Sequence, residues 1–288
     1  MRINFKDHVE LKILNETLND RFDFLEYLGG GGFGKVFKLK DKKLGRECAL
    51  KVLNLHKLNK ASQQEREEIY ARFLKEARSY AQCRHPNIAE IYDIGGDDTF
   101  PFIIMNYING ENLDILLSRE NILGIHQIVS ISEAILPALH YMHQLKLVHR
   151  DIKPANIMFE TSTNRVAIID FGIVKDSITS TLTRSDIIIG SPYYIAPEQW
   201  KSSKRVDFKA DIYSYGAVLF KMITGKVPYN GGMSEIMIAH MEEPVPKIKE
   251  INPAAPGKFQ EIIDKAMAKN PQDRFANALG LLKEIKKL

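Results

Sequence analysis

Two acids, a lysine and an asparagine stand close together in this sequence, and their types suit phosphate chemistry. Asp151, Lys153 and Asn156 share one short segment, and Asp170 follows one hairpin later. One Asp can accept a hydroxyl proton, the Asn and the other Asp can hold Mg²⁺, and the Lys can neutralise a moving phosphate. The spacing therefore favours phosphoryl transfer from a metal-bound nucleotide.

A glycine-rich segment suggests where phosphates would lie. Its G-x-G-x-x-G pattern is formed by Gly29, Gly31 and Gly34. Glycine lets the backbone approach a phosphate without a Cβ in the way. Gly30 and Gly32 are glycine as well, so a flexible glycine turn is the alternative. Strands are predicted on both sides, whereas a dinucleotide-binding motif would open a helix. Leu28 and Val36 flank the segment and could sandwich adenine.

A lysine and a glutamate outside this segment form a candidate pair. Residues 48–53 are predicted to form a strand, and alternation places Ala49 and Lys51 on one face. Residues 63–83 are predicted to form a helix that carries Glu76 in an apolar stripe. An unpaired carboxylate there would be costly to bury. Lys51 is therefore its candidate partner, and a solvated lysine is the alternative.

Together these motifs occur in the order and spacing of the protein kinase superfamily, which the chain resembles. The Lys two places after Asp151 is similar to the serine/threonine branch. Bacterial members are resembled at residues 19–22, 101–105 and 195–199. The resemblance covers residues 20 to about 287, and residues 1–19 are predicted to be an N-terminal extension that packs on the small lobe.

The resemblance implies an α+β fold with two lobes. The small lobe, about residues 20–107, would hold an antiparallel sheet and one key helix, and the larger, mainly helical lobe would cover residues 108–288. Strands are predicted at 24–29, 36–39, 48–53, 88–94, 102–107 and 166–169. Later helices are predicted at 112–118, 125–144, 207–224, 233–240, 257–268 and 276–287. Pro137 should kink the second of these helices or split it.

The resemblance also assigns roles. Asp151 would accept the substrate's proton, Lys153 would contact the γ-phosphate, and Asn156 with Asp170 would bind Mg²⁺, with Mn²⁺ as an alternative. Lys51 would bridge the α- and β-phosphates of ATP and Glu76. The other nucleotide contacts would be Leu28, Gly29, Gly31, Gly34, Val36, Ala49, Met105, Asn106 and Ile108. Asn112 falls where some members carry a ribose-binding acid, and a helix start is its alternative role.

Residues 173–195 are rich in hydroxyl groups. A solvated loop is one interpretation, and regulatory phosphorylation is the other. The resemblance favours Thr183 and Ser185 as autophosphorylation sites, where a phosphate would pair with Arg150. Ser191 would keep a hydroxyl that ties Asp151 to Lys153.

The resemblance assigns structural roles in the larger lobe to three further residues. Glu198 and Arg274 resemble the ion pair of the larger lobe, and Asp211 would brace the backbone of the catalytic segment. These assignments predict a complete helical lobe rather than contacts with the substrate.

Composition narrows the class of protein. The 288 residues are 44% hydrophobic and 26% charged, which is ordinary for a globular chain. A net charge of +4 argues little for nucleic acid, and two cysteines fit a reducing cytoplasm. Neither a signal peptide nor a membrane segment is expected. A longer natural protein with a membrane anchor beyond residue 288 stays open, as does dimerisation through the small lobes.

The sequence therefore predicts a transferase: a signalling serine/threonine kinase, itself a phosphoprotein, that acts on protein substrates. A pseudokinase scaffold is the alternative, although Lys51, Glu76, Asp151, Asn156 and Asp170 are all present. A small-molecule phosphotransferase is a third alternative. The segment 196–198 and the Ser191 turn, which form a protein-substrate platform in the family, argue against it.

Overall fold

A computed structural model describes residues 18, 20–30, 34–53, 62–163, 165–170, 191–201 and 206–288. These described residues divide into two compact units. The first unit contains residues 18–84 and 89–107, and the second contains residues 85–88, 108–170 and 191–288. Each unit is built around its own secondary structure, and each holds part of the predicted chemistry.

The first unit contains an antiparallel sheet and one long helix. Its strands are β1 (Phe22–Gly30), β2 (Gly34–Asp41), β3 (Arg46–Leu53), β4 (Ile91–Gly95) and β5 (Phe102–Asn106). They lie in the order β1-β2-β3-β5-β4. Two predicted boundaries are wrong by three residues: β4 begins at Ile91 rather than at residue 88, and the helix predicted at 63–83 ends at Tyr80. Ile88 instead forms an isolated parallel bridge with Ile168 in the second unit.

Helix α1 (Gln63–Tyr80) begins with a capping box. The Ser62 hydroxyl accepts the Glu65 backbone N–H, and the Glu65 carboxylate accepts the Ser62 N–H. These bonds satisfy N–H groups that the first helical turn leaves without partners. The predicted apolar face is confirmed, and its buried residues are Ile69, Phe73, Ala77 and Tyr80. Glu76 shares that face and is half-buried.

The sheet of the first unit has one strongly buried face. Cys48, Leu50 and Val52 alternate along β3 with Ala49 and Lys51, and the first three belong to an apolar core that also contains Leu18. This alternation confirms the predicted division of β3 into two faces. Lys51 is therefore held on the face opposite the core cluster.

The second unit is mainly helical. Its helices are α2 (Leu113–Glu120), α3 (Ile125–Gln144), α4 (Pro197–Lys201), α5 (Lys209–Thr224), α6 (Met233–Glu242), α7 (Ile248–Ile251), α8 (Lys258–Ala266) and α9 (Ala278–Ile285). Helix α3 runs unbroken through Pro137, so the split helix is excluded. Side chains on both sides of the proline, including Leu136 and Leu139, are fully buried, and this packing keeps the helix in one piece.

A small three-stranded sheet lies next to the segment that holds the predicted catalytic residues. Its strands are β6 (Gly110–Asn112), β7 (Ile157–Glu160) and β8 (Val166–Ile168), paired in the order β6-β7-β8. Only β8 was expected from the sequence. Asp170 follows β8 by two residues, and a 3₁₀ turn at Pro154–Asn156 leads directly into β7. The β7–β8 hairpin thus fixes both ends of the candidate site.

Among the described residues, no helix has the length and apolar character needed to cross a membrane.

Candidate active site

Asp151 lies at the centre of a compact group of polar side chains in the second unit. Its Oδ2 accepts a hydrogen bond from Lys153 Nζ at 2.6 Å and another from Asn156 Nδ2 at 3.0 Å. The Asp151 and Lys153 side chains are 15% and 18% exposed, so a substrate hydroxyl could still reach them. The sequence-predicted base, cation and amide are therefore brought together on one loop.

Asn156 ties the loop to the end of β8. Its Nδ2 also donates to the Asp151 carbonyl at 2.8 Å and lies 3.4 Å from the Asp170 carbonyl. The side chain is almost fully buried, which holds the amide in this orientation. Because the nitrogen faces these carbonyls, the Oδ1 is left as the acceptor end of the amide. An amide oxygen beside a carboxylate is the kind of oxygen donor that Mg²⁺ takes, so Asn156 and Asp170 fit the predicted cation.

Asp211 on helix α5 holds the backbone that leads into Asp151. Its carboxylate accepts the backbone N–H groups of His149 at 2.9 Å and Arg150 at 2.8 Å. His143 Nε2 lies 2.8 Å from the same carboxylate. Burial raises the pKa of Asp211, but the hydrogen bond and charge of His143 and the bond from His149 hold the pKa below its ordinary value. The predicted bracing role is confirmed, and His143 is a partner that the sequence did not reveal.

His149 helps to orient Asp151 from within the loop. The Asp151 backbone N–H lies 3.3 Å from His149 Nδ1, which must be unprotonated to accept it. Burial lowers the pKa of His149, although the nearby carboxylates of Asp211, Asp151 and Asp170 raise it. The lowered pKa keeps the imidazole neutral, and the neutral ring can accept this bond.

Two residues of the site have left-handed backbone angles. Arg150 has φ of 64° and Asp170 has φ of 58°, a region that residues other than glycine seldom adopt. Such a conformation costs on the order of 1–3 kcal/mol and persists only where its surroundings fix it. The Arg150 N–H is fixed by Asp211, and its carbonyl accepts Gln199 Nε2 at 3.0 Å. Gln199 is a second residue that the sequence did not point out.

The segment after the predicted substrate turn is anchored by a buried ion pair. Arg274 donates to Glu198 through both terminal nitrogens, at 2.6 and 2.8 Å, and the Arg274 side chain is fully buried. A paired, two-bond geometry of this kind is strong because both donors are fixed in one plane. The predicted pairing is confirmed. The Ser214 hydroxyl also donates to the Tyr194 carbonyl at 2.7 Å, and this bond ties helix α5 to the 3₁₀ turn at Pro192–Tyr194.

In the first unit, strand register brings the predicted nucleotide residues into neighbouring positions. Gly29 pairs with Val36, and Val36 pairs with Lys51, so the three form one row across β1, β2 and β3. Ala49 pairs with Met105 on β5. Directly paired residues share one face of a sheet. Val36, Ala49, Lys51 and Met105 therefore lie on a common face, and Leu28 precedes this row at 39% exposure.

Glycine is favoured at two positions of the predicted phosphate segment. Gly29 has φ of 143°, where a side chain would be strained. A Cβ on Gly34 would stand 3.1 Å from both Leu53 Cδ2 and the Val52 carbonyl. Backbone conformation therefore favours glycine where the predicted phosphate segment begins, and close approach of β3 favours it where the segment ends.

The predicted hinge is partly occupied by hydrogen bonds within the first unit. The Asn106 backbone N–H donates to the Glu90 carbonyl at 2.9 Å, and its side-chain Oδ1 accepts the Glu90 N–H at 2.8 Å. Asn106 can therefore offer its carbonyl but not its N–H to a ligand. Ile108, which belongs to the second unit, is buried.

Asn112 has the role of a helix start. Its Oδ1 accepts the Ile115 N–H at 3.0 Å as the N-cap of α2. This bond occupies the side-chain oxygen that a ribose contact would have used, and it favours the capping alternative.

Other predicted contacts stay predictions. Gly31, Thr183 and Ser185 lie outside the described residues. The pairing of Lys51 with Glu76 and the bridging role of the Ser191 hydroxyl also stay predictions.

Known proteins resemble this chain over most of its length. The protein kinase domain family matches residues 22–285. The chain is 34% identical over 275 residues to serine/threonine-protein kinase PrkC of Bacillus subtilis. The aligned region covers 95% of this chain and 41% of that protein. It is also 34% identical over 276 residues to serine/threonine-protein kinase PknB of Mycobacterium leprae, with 93% and 43% covered. The chain thus spans well under half the length of these curated relatives.

A solved structure agrees with these matches. The kinase domain of PknI from Mycobacterium tuberculosis superposes with a TM-score of 0.74 at 25% identity, covering 92% of this chain and 95% of that one. The predicted α+β fold is confirmed by this likeness and by the antiparallel sheet and helical unit described above. The chain belongs to the protein kinase family.

Proposed function

We propose that this chain is a serine/threonine protein kinase that transfers the γ-phosphate of ATP to hydroxyl groups of proteins. One observation carries the proposal: the Asp151 carboxylate is held between Lys153 and Asn156 on a loop that Asp211 fixes from a buried helix. A base, a cation and a metal-binding amide within one rigid loop suit phosphoryl transfer, in which positioning and charge supply most of the catalysis. The names of the relatives support the same activity.

The catalytic loop would act on the substrate hydroxyl. Asp151 would orient the hydroxyl and take its proton as the oxygen bonds to the γ-phosphorus. The bond from the γ-phosphorus to the bridging oxygen breaks in the same transfer, and ADP leaves with that oxygen. Lys153, which is 2.6 Å from Asp151, would place its positive charge beside the transferring phosphoryl group.

Asn156 and Asp170 would hold the divalent cation. Mg²⁺, or Mn²⁺ in its place, would offset negative charge on the phosphates. The protein's own contribution is to fix the two oxygen donors. Asn156 is fixed by the hydrogen bonds that its nitrogen donates, and Asp170 by its place two residues after β8.

The first unit would bind the nucleotide. Lys51 would contact the α- and β-phosphates and pair with Glu76, and Ala49 and Val36 would leave a flat apolar surface for adenine. Because the Asn106 N–H is already bonded to Glu90, the adenine edge would meet the Asn106 carbonyl and a donor further along, at Ile108. The glycines at 29, 31 and 34 would approach the phosphates.

Regulation, partners and cellular location are part of the same proposal. Thr183 and Ser185 are proposed as autophosphorylation sites. Protein substrates are the proposed partners, and two buried cysteines without a disulfide suit a reducing cytoplasm. Homodimerisation, and the expectation of no nucleic-acid partner, stay predictions from the sequence.

The activity is tested by the intact mass of the purified protein before and after incubation with Mg-ATP. We expect phosphate additions on the wild-type chain and none on Asp151→Asn, with peptide mapping of the sites at 183 and 185. A wild-type chain that binds ATP but phosphorylates neither itself nor a generic protein substrate would contradict the proposal and support the pseudokinase alternative.

A further inference from the structure

We propose that Gln199 is a positioning residue for the catalytic loop. It lies in the short helix α4, just after the substrate turn, and 49 residues beyond Arg150 in sequence. Its Nε2 donates to the Arg150 carbonyl at 3.0 Å, and its Oε1 accepts the Ala196 backbone N–H at 3.0 Å. The amide thus joins the substrate-side segment to the residue that precedes Asp151. The inference rests on the kinase activity proposed above.

Arg150 is a residue whose backbone must be held. Its φ of 64° is unfavourable for any residue other than glycine. Its N–H is bound by Asp211, and its carbonyl is bound by Gln199. The carbonyl belongs to the peptide group that links Arg150 to Asp151. Without the Gln199 bond, the side-chain hold on that peptide group would be reduced to the longer contact of 3.3 Å between the Asp151 N–H and His149 Nδ1. The peptide group could then rotate more easily, and rotation would move the Asp151 carboxylate.

Helix capping alone does not explain a glutamine at this position. A side chain at the third helical position commonly accepts the N–H of the residue before the helix, and Glu does this as well as Gln. The Arg150 carbonyl needs a donor, which Gln supplies and a carboxylate does not. Glu at this position would keep the cap and place negative charge against a carbonyl oxygen.

The platform beneath Gln199 is rigid. The preceding residue, Glu198, is bound through two hydrogen bonds to the fully buried Arg274. Helix α4 therefore has a fixed reference from which Gln199 can hold the loop. A displacement of reacting groups by about 1 Å can reduce a rate by roughly a hundredfold. Loss of a single hydrogen bond that positions the loop can therefore lower kcat.

The decisive variant is Gln199→Glu, because it keeps the capping acceptor and removes the donor. We expect kcat to fall about tenfold, the KM for ATP to stay within about twofold, and the melting temperature to fall by no more than about 5 °C. Gln127→Glu is the matched control: Gln127 also caps a helix through its Oε1, at Gly124, but its Nε2 contacts Glu120 rather than the catalytic loop. Its kcat should equal that of the wild type.

A second readout does not depend on activity. Amide hydrogen exchange of residues 147–156 should be faster in Gln199→Glu than in the wild type and unchanged in Gln127→Glu. Equal kcat and equal exchange in Gln199→Glu and wild type would overturn the proposal. If Gln199→Glu does not fold, Gln199→Met takes its place. Because Met removes the cap as well as the donor, its melting temperature should fall, whereas its kcat and its loop exchange should change as expected for Gln199→Glu. An inactive wild-type chain would contradict the kinase activity, whereas the exchange measurement would still decide the role of Gln199.

Discussion

The catalytic loop of the second unit and the strand face of the first unit fix their functional residues by different means. Around Asp151, side chains from distant parts of the sequence bind the loop backbone. Asp211 accepts hydrogen bonds from two N–H groups, and Gln199 donates one to a carbonyl. On the sheet, Val36, Lys51 and Met105 are placed by strand register, in which backbone groups bind each other. The loop depends on individual side chains, whereas the sheet depends on its backbone ladder.

This difference separates two kinds of mutation. A substitution on the sheet face should remove only the chemistry of the side chain that is changed, because the backbone stays paired. A substitution at a residue that holds the loop should move groups it does not touch. Four predictions, ordered by expected effect, test this division.

Asp170→Ala should abolish turnover, with a loss of about a thousandfold or more, because it removes a proposed cation ligand. The fold should stay intact, since Asn156 contacts the Asp170 backbone carbonyl, which the substitution keeps. Steady-state phosphoryl transfer and thermal melting measure the two effects. Asp264→Ala, at an exposed residue of the same unit, is the control. Retained turnover with normal metal dependence would remove Asp170 from the cation site.

Lys51→Ala should reduce transfer about a hundredfold and leave the melting temperature nearly unchanged. The reason is that Lys51 contributes charge to the proposed phosphate contacts, while β3 stays paired with β2 and β5. Lys40→Ala on the neighbouring strand, where the lysine is exposed, should match the wild type in both measurements. An unchanged rate in Lys51→Ala would refute the proposed phosphate contact and the pairing with Glu76.

Asp211→Asn should lower the free energy of unfolding by about 3 kcal/mol and reduce kcat about tenfold, because an amide cannot accept all three donors that face the carboxylate. The folded-state pKa of Asp211 lies below its ordinary value of 3.8. Its stabilising contribution is therefore complete above about pH 3.8 and is lost as the pH falls through the folded-state pKa.

Denaturant unfolding of wild type and variant across this pH range tests the third prediction. The difference between their free energies of unfolding should shrink below pH 3.8. Asp207→Asn, at the exposed start of the same helix, serves as the control. A difference that is independent of pH would show that the ionised carboxylate does not hold the loop.

Asn112→Ala should have the smallest effect: a loss of about 1 kcal/mol of stability from the missing N-cap, with the KM for ATP unchanged. Asn112→Asp should restore the stability, because a carboxylate also caps a helix start. Melting curves and ATP titration distinguish the two roles. A raised KM for ATP in Asn112→Ala would contradict a purely capping role and would support the ribose contact.

Local patterns predicted much of this fold. The apolar spacing of residues 63–83 predicted a helix, and the structure confirms its buried face over Gln63–Tyr80. The helix predicted at 125–144 is confirmed as well. Short elements were harder. Strands β6 and β7 hold three and four residues, and they form because they pair with each other and with β8 rather than because of their own sequence. The misplaced start of β4 has the same cause, since Ile88 pairs outside that sheet.

The candidate site was predictable in its chemistry but not in its support. Asp151, Asn156 and Asp170 stand in recognisable motifs, so the roles proposed for them follow from residue type and order. The positive φ of Arg150 could not be predicted, because arginine carries no preference for that conformation. Likewise, nothing local to His143 or Gln199 indicates a partner 68 or 49 residues away. Such contacts depend on how the helices pack.

The proposed kinase activity is tested most directly by transfer of labelled γ-phosphate from ATP to a generic protein substrate. The amount of label is compared between wild type and Asp151→Asn, and the labelled amino acids are then identified. We expect label on phosphoserine and phosphothreonine with the wild-type chain and a loss of about a thousandfold with Asp151→Asn. Equal labelling by the two proteins, or no labelling by a wild-type chain that binds ATP, would contradict this expectation.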